Sequence, residues 1–303
     1  MSNNRKPAID HGKMTPFTWW LRKLDIAFGK PDEKDLIVLS GYPSVGKTEF
    51  THFVARANAD LWNLVAYLSL EMPKEKLAER YACKKAGVSR LDFQEKKYTE
   101  EQAAIIDKEY EAFLWYKNIV MIGEEKTRTM SELLSNQTNT KKWKLDELYD
   151  FGCRLFVIDN LGKIDGDLNE LIRFDNISSK LQQRKNKTWA TVILLHHMAK
   201  PQRGNQYVPW WVAGIRWSQK IIDNATQVFE IFRDLDPENT DPKDKATTTL
   251  YQYKNTMGGT NGMAEIFFNG EYVEDYHGPL PEKKIKAAKS FYDTDRDNED
   301  IPF

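Results

Sequence analysis

Residues 41 to 48 read Gly-Tyr-Pro-Ser-Val-Gly-Lys-Thr, which puts Gly41, Gly46, Lys47 and Thr48 on the spacing GxxxxGK[ST]. That spacing suits phosphate binding. Its glycines let successive backbone N–H groups turn inward on phosphate oxygens, while the helix start behind them adds partial positive charge. Lys47 is placed to reach the β- and γ-phosphates of a nucleoside triphosphate, and Thr48 to hold Mg²⁺. Pro43, Ser44, Val45 and Glu49 complete the loop and the helix start, and belong to the same nucleotide-binding set. The competing reading is a chance glycine-rich loop. Against it stands the context, since the strand-like run Asp-Leu-Ile-Val-Leu-Ser precedes the loop and a helical segment follows.

Phosphate chemistry needs two further carboxylates. A second metal anchor belongs at the end of a buried strand, and Arg-Leu-Phe-Val-Ile-Asp-Asn ends one at Asp159, directly after four apolar residues. Taken alone, such an aspartate is as readily a helix cap. Hydrolysis also needs a carboxylate to orient or deprotonate water, and Glu71, after Leu-Val-Ala-Tyr-Leu-Ser-Leu, is the candidate general base. Its bland alternative is an acid in the first turn of the next helix. The run Thr-Val-Ile-Leu-Leu ends in His196 and His197, of which one can sense the γ-phosphate. A hydrogen-bonded structural pair is the alternative there.

These groups need a frame that brings strand ends together. Eight short runs, DLIVLS, LVAYLSL, NIVMIG, RLFVID, TVILLH, QVFEIF, TTTLYQY and AEIFF, are apolar on both faces and alternate with helical, charged stretches. They predict an α/β fold with a mostly parallel sheet flanked by helices. The last two runs are joined by a segment rich in glycine and asparagine and predict an antiparallel hairpin. Residues 201–211 read as a basic surface loop, and residues from 276 onward, poor in core-forming side chains, as a flexible tail. The division expected is an N-terminal arm at 1–30, one ATPase domain at 31–275 and an acidic tail at 276–303.

No apolar run is long enough to span a bilayer and residues 1–14 lack the pattern of a signal peptide, so a cytoplasmic protein without membrane partners is expected. The two cysteines, Cys83 and Cys153, support neither a disulfide framework nor a zinc site. Residues 293–303 carry a charge of −4, leaving +3 on the rest of a chain whose formal charge is −1, which permits nucleic-acid binding without demanding it.

Taken together and in order, these segments resemble the motor domain of DnaB-type replicative helicases, over roughly Asp35 to Tyr272. The resemblance implies a RecA-like P-loop NTPase core, ATP and Mg²⁺ as cofactors, single-stranded DNA as partner, and a self-assembled ring, expected to be a hexamer. Ser-Leu-Glu-Met-Pro-Lys-Glu-Lys-Leu-Ala-Glu-Arg looks like the family's stretch with a catalytic Glu and an Arg-bearing helix, placing Glu71 and Arg80 there. His197 falls on the family's phosphate-sensor position. GIRWSQK resembles a channel-lining loop, which puts Arg216, Trp217 and Gln219 against the DNA backbone, with Lys200, Arg203, Trp210 and Trp211 adding charge and aromatic surface.

Two departures stand out. In the hairpin that reaches the neighbouring subunit's nucleotide, Lys254 matches the family's lysine, but Thr256 stands where an arginine finger is expected. About thirty residues precede the first strand, where the family carries a further domain. In that stretch FTWWLRKLDIAFGK either docks on a neighbour or covers its own sheet. The chain also ends in acids followed by Ile-Pro-Phe, similar to the tip of bacterial single-stranded-DNA-binding proteins. Asp300, Ile301, Pro302 and Phe303 are therefore candidate contacts for replication or repair partners. The function implied is an ATP-dependent DNA helicase; the alternative is an ATP-modulated single-strand-binding, annealing or recombination-mediator protein that does not unwind.

Overall fold

The computed structural model describes residues 16–123, 144–164, 170–188, 190–198, 219–236, 239–256, 262–268 and 272–275. Six strands run parallel at its centre: β1 (Leu36–Gly41), β2 (Val65–Ser69), β3 (Ile119–Ile122), β4 (Leu155–Asp159), β5 (Thr191–His197) and β6 (Gln227–Arg233). Antiparallel β7 (Thr247–Asn255), β8 (Met263–Phe268) and β9 (Tyr272–Val273) extend the sheet, giving the order β3-β2-β4-β5-β1-β6-β7-β8-β9. All eight expected strands are present. The antiparallel part is larger than a terminal hairpin, because β6 already pairs antiparallel with β7.

Strands β1, β2 and β4 are buried at every residue, as apolar runs covered on both faces must be. Side chains alternate between the faces. Ile37, Leu39, Tyr67, Val157, Ile193 and Phe229 pack with helix α1 (Arg22–Phe28) and helix α2 (Lys47–Asp60). Their neighbours Leu36, Val38, Leu68, Ile158 and Leu194 pack on the other side, against α6 (Lys144–Phe151), α7 (Glu170–Thr188) and α8 (Gln219–Asn224). Phe174, Ile177 and Leu181 form the stripe that α7 lays on that face.

Helices α3 (Lys74–Lys85), α4 (Arg90–Gln94) and α5 (Glu100–Leu114) follow β2 and enclose a small core of Ala82, Cys83, Val88 and Ile106. The start of α5 is fixed by a capping box between Thr99 and Gln102. A last short helix, α9 (Pro242–Ala246), connects β6 to β7. Among the described residues no helix is long and apolar enough to cross a membrane.

The described part of the N-terminal segment covers the chain's own sheet. Phe17, Trp19, Leu24 and Phe28 are buried in the main core, and Trp19 lies edge-on to Phe229 with ring centroids 5.2 Å apart. Asn58, on the helix that follows the glycine-rich loop, accepts from Thr18 N (3.1 Å) and donates to Thr18 O (2.9 Å). Reciprocal bonding of this kind satisfies both amide partners of a buried side chain, so the segment is locked to α2 rather than merely resting on it.

Candidate nucleotide-binding site

The register of the parallel strands decides what meets at their C-terminal edge. Gly41 lies opposite His197 and Ser69 opposite Asp159, so the glycine-rich loop after β1, Asp159 on β4, Glu71 after β2 and His197 on β5 converge at one edge. Open α/β sheets place their ligands there. Predicted loop residues Pro43, Ser44, Gly46, Lys47, Thr48 and Glu49 line a single cleft of about 330 Å³, as do Glu71, Asp159 and His197. Val45 instead points into the core and is 1% exposed.

Both glycines of the motif have a steric reason. At Gly41 a Cβ would sit 2.6 Å from the Ile231 carbonyl oxygen, so β1 could not lie this close to β6 with any side chain there. Gly46 has φ of +99°, a left-handed conformation that side chains resist, and a Cβ there would lie 3.1 Å from the Tyr272 hydroxyl.

Within the cleft, Thr48 Oγ1 donates to Asp159 Oδ2 at 2.6 Å. Lys47 Nζ donates to the carbonyls of Gly41 (2.8 Å) and Tyr42 (2.7 Å). Burial pushes the Lys47 ammonium down to about 8, against the pull of the Asp159 and Glu71 carboxylates. The same burial raises the Asp159 carboxyl above its ordinary value, opposed by the Thr48 hydroxyl and the Lys47 charge. Glu71 is half exposed and accepts from His197 Nε2 at 3.1 Å and from the Asn160 amide. Its carboxyl is lowered, chiefly by the His197 hydrogen bond. A half-buried hydroxyl and a buried carboxylate in contact are hard oxygen donors of the kind Mg²⁺ takes, so the donor set fits that ion.

Comparison with known proteins agrees with this geometry. The family model described as DnaB-like helicase C terminal domain matches residues 18–275. The chain belongs to that family. It is 25% identical over 269 residues to the replicative DNA helicase DnaB of Geobacillus stearothermophilus, a match covering 86% of this chain and 56% of that protein. This chain therefore spans little more than half the length of that relative. Among solved structures, one described as an ATPase domain superposes with a TM-score of 0.71 at 19% identity, covering 88% of this chain and 94% of that one. A DnaB-like replicative helicase, described with its interactions with primase, gives 0.68 at 19% identity, covering 88% and 64%. These likenesses establish the RecA-like ATPase fold of this DnaB-like helicase domain.

Not every expected residue of the helicase domain reaches the cleft. Lys254 pairs with Val228 near the start of β6, at the edge of the sheet opposite the loop, where its Nζ donates to the carbonyls of Ile222 (2.7 Å) and Asp223 (2.9 Å). Thr256 is exposed beside it and bonds Thr226 O through its N–H (2.9 Å) and its hydroxyl (3.2 Å). His196 points to the other face, 3% exposed and edge-on to Phe174. Arg80 lines the cleft. Lys200, Arg203, Arg216, Trp217, the Gln219 side chain and Asp300, Ile301, Pro302 and Phe303 lie outside the described residues.

Sequence reasoning missed two residues of the site. Tyr67, in the middle of β2, points its hydroxyl to Thr51 Oγ1 (3.1 Å) and Asp159 Oδ2 (3.4 Å). A phenol in an otherwise apolar strand was the available signal, since a buried tyrosine hydroxyl needs a partner. Asn160 joins Glu71 to the turn after β4, because its Oδ1 also accepts from Gly162 N at 2.9 Å. A polar residue directly after a buried strand was the signal for it.

Proposed function

We propose that this domain is the ATP-driven motor of a replicative DNA helicase, which moves along single-stranded DNA and unwinds the duplex ahead. The observation that carries the reading is the contact of Thr48 with Asp159 at 2.6 Å, beside a buried Lys47 and a Glu71 oriented by two donors. In this mechanism backbone N–H groups from Ser44 to Thr48 hold the phosphate chain, and Lys47 exchanges its loop carbonyls for β- and γ-phosphate oxygens. Thr48 and Asp159 would hold Mg²⁺, which supplies charge neutralisation at the β- and γ-phosphates. Glu71 orients the attacking water and takes its proton, held in place by Asn160 and His197. His197, touching Glu71, is the group placed to register loss of the γ-phosphate.

The position of Lys254 at the far edge of the sheet supports action on another subunit's nucleotide, as in a self-assembled ring of six. Arg216, Trp217 and Gln219, with Lys200 and Arg203, are proposed to grip the DNA backbone. Within residues 276–303, Asp300 to Phe303 are proposed to engage replication or repair proteins in the cytoplasm. A second reading, a single-strand-binding or annealing protein that uses ATP without unwinding, is favoured by one observation: Thr256 at the finger position of the hairpin. A strand-displacement assay decides between them. ATP-dependent release of a labelled strand, abolished by Lys47→Ala, is the expected result. Tight single-strand binding with ATP turnover but no displacement would establish the second reading, and displacement by Lys47→Ala would overturn the cleft assignment itself.

A further inference from the structure

Tyr67 stands in the middle of β2 and is fully buried, among strand neighbours Val65, Ala66 and Leu68 that are all apolar. A phenylalanine ring would fill the same space in the core. The hydroxyl is therefore what needs explaining, because a buried phenol costs stability unless it finds partners. In the parallel register Tyr67 lies opposite Val157, two residues before Asp159, so Tyr67 and Asp159 leave the sheet on the same face. The hydroxyl meets α2 and the end of β4 at one point, where it touches Thr51, Thr48 and Asp159.

Three acceptors lie within reach of its single proton: Thr51 Oγ1 at 3.1 Å, Thr48 O at 3.4 Å and Asp159 Oδ2 at 3.4 Å. Thr51 has outlets of its own, since its hydroxyl donates to Lys47 O (3.1 Å) and Thr48 O (3.2 Å). Of the three acceptors Asp159 is the one that carries charge, and charge-assisted hydrogen bonds are about twice as strong as neutral ones. The phenol proton therefore belongs on Asp159 Oδ2, beside the bond that the same oxygen accepts from Thr48 Oγ1 at 2.6 Å. At 3.4 Å the phenol–carboxylate contact is long, and contacts of this kind tighten when a ligand is held. The two donors differ in what carries them. Thr48 belongs to the phosphate loop and the start of α2, whereas Tyr67 belongs to a strand buried at every residue and paired on both sides, so its hold on Asp159 does not depend on how the loop is arranged.

We propose that Tyr67 is a positioning residue for the divalent cation: its hydroxyl holds the Asp159 carboxylate in one orientation from the adjoining strand, and so sets how tightly the cation is bound. The inference rests on the reading of the cleft as an ATPase site with Mg²⁺ at Thr48 and Asp159. Without the phenol, the carboxylate is held by the Thr48 hydroxyl and is freer to turn about its Cβ–Cγ bond. Hydrogen bonds from outer groups to a metal-binding carboxylate contribute about 10- to 100-fold to metal affinity or activity. In this role Tyr67 touches neither the phosphates nor the attacking water and transfers no proton. It acts through Asp159, so nucleotide binding without a cation does not involve it.

The test measures binding of a fluorescent, non-hydrolysable ATP analogue by the full chain as Mg²⁺ is raised from a solution in excess chelator, for wild type, Tyr67→Phe, Asp159→Asn and the double variant. Tyr67→Phe should need about tenfold more Mg²⁺ than wild type to reach half of the cation-dependent gain in affinity. In excess chelator it should bind the analogue as wild type does, which also shows that the site is folded. In the Asp159→Asn background, Tyr67→Phe should bring no further shift, because the hydroxyl has lost the group it acts through. An unchanged Mg²⁺ requirement in Tyr67→Phe would overturn the proposal. So would an equal loss of affinity with and without Mg²⁺, the mark of a hydroxyl that serves packing alone, or a further shift in the double variant, which would show it working through another group. Wild type separates the two levels of the argument. If wild type does not bind the analogue, or binds it with no response to Mg²⁺, the ATPase reading itself fails; if wild type responds and Tyr67→Phe matches it, only the tyrosine assignment fails.

Discussion

The burial of Lys47 has a measurable consequence in the protein without nucleotide. The residue is 4% exposed, and burial brings its ammonium from the ordinary value of 10.5 to about 8. Below pH 8 the lysine is charged in both the folded and the unfolded chain, so stability does not depend on its titration. Between 8 and 10.5 the unfolded chain holds a proton that the folded chain has released, and folding stability must rise with pH across that window. A gap of about 2.5, at about 1.4 kcal/mol per pH unit, amounts to about 3–4 kcal/mol. The perturbation is Lys47→Met, which keeps the stem and removes the charge. Urea unfolding of wild type and variant is followed by tryptophan fluorescence in parallel series from about pH 7 to about pH 10.5, without nucleotide. Other groups titrate in both proteins and cancel. The stability of wild type relative to the variant should be level up to about pH 7.5 and then climb by about 3–4 kcal/mol. A difference that stays flat, or that falls with pH, would refute the claim that Lys47 is held charged against its surroundings. Nucleotide binding should show the opposite trend, weakening above about pH 8 as the ammonium it needs is lost.

Two further outcomes test the frame and the hydrolytic corner. Gly41→Ala should lower the urea midpoint by the equivalent of about 1–3 kcal/mol, because the new methyl meets the Ile231 carbonyl at 2.6 Å and β1 must part from β6; an unchanged midpoint would mean that the two strands yield freely. Asn160→Ala removes an amide that favours the charged form of Glu71, so the acid limb of the ATPase pH profile, where activity is lost as Glu71 is protonated, should move to higher pH. Asn160→Asp adds a like charge beside Glu71 and should move the limb further, and a limb unmoved in both variants removes Asn160 from the positioning role.

Much of this architecture was legible from residue types. Runs such as Leu-Ile-Val-Leu carry no polar face, so burial on both sides was the one environment they fit, and β1, β2 and β4 have it. Spacing alone pointed to the glycine-rich loop, because the loop requires glycine where Gly41 meets Ile231 and where Gly46 takes positive φ, while Glu71, Asp159 and His197 were read from their places at strand ends. Strand pairing was less visible. The reversal at β7 follows from its connection: α9 has five residues, too short to carry the chain back along the sheet for a parallel return. Contacts set by tertiary register were beyond reach in one dimension. Nothing in the text of the sequence says that the Tyr67 hydroxyl arrives beside Asp159, or that the Asn160 amide reaches Glu71, since both depend on β2 and β4 pairing Ser69 with Asp159.

Two electrostatic departures in the cleft share one cause and one remedy. Burial disfavours the charged forms of Lys47 and Asp159 alike, lowering the first and raising the second. Their mutual attraction opposes both shifts without cancelling either, because each must also serve a group of the opposite sign. In the proposed ATPase reading, a triphosphate beside Lys47 and a divalent cation beside Asp159 would supply those groups, so the charges that weigh on the folded chain are the ones that ligand binding would favour. A site built for stability alone would replace both residues with apolar side chains of similar volume, and buried ion pairs elsewhere tolerate that exchange. Retaining the pair, with Thr48 and Tyr67 arranged around Asp159, is what the proposed function would require, since a highly charged occupant would then have to be gripped and released in each cycle.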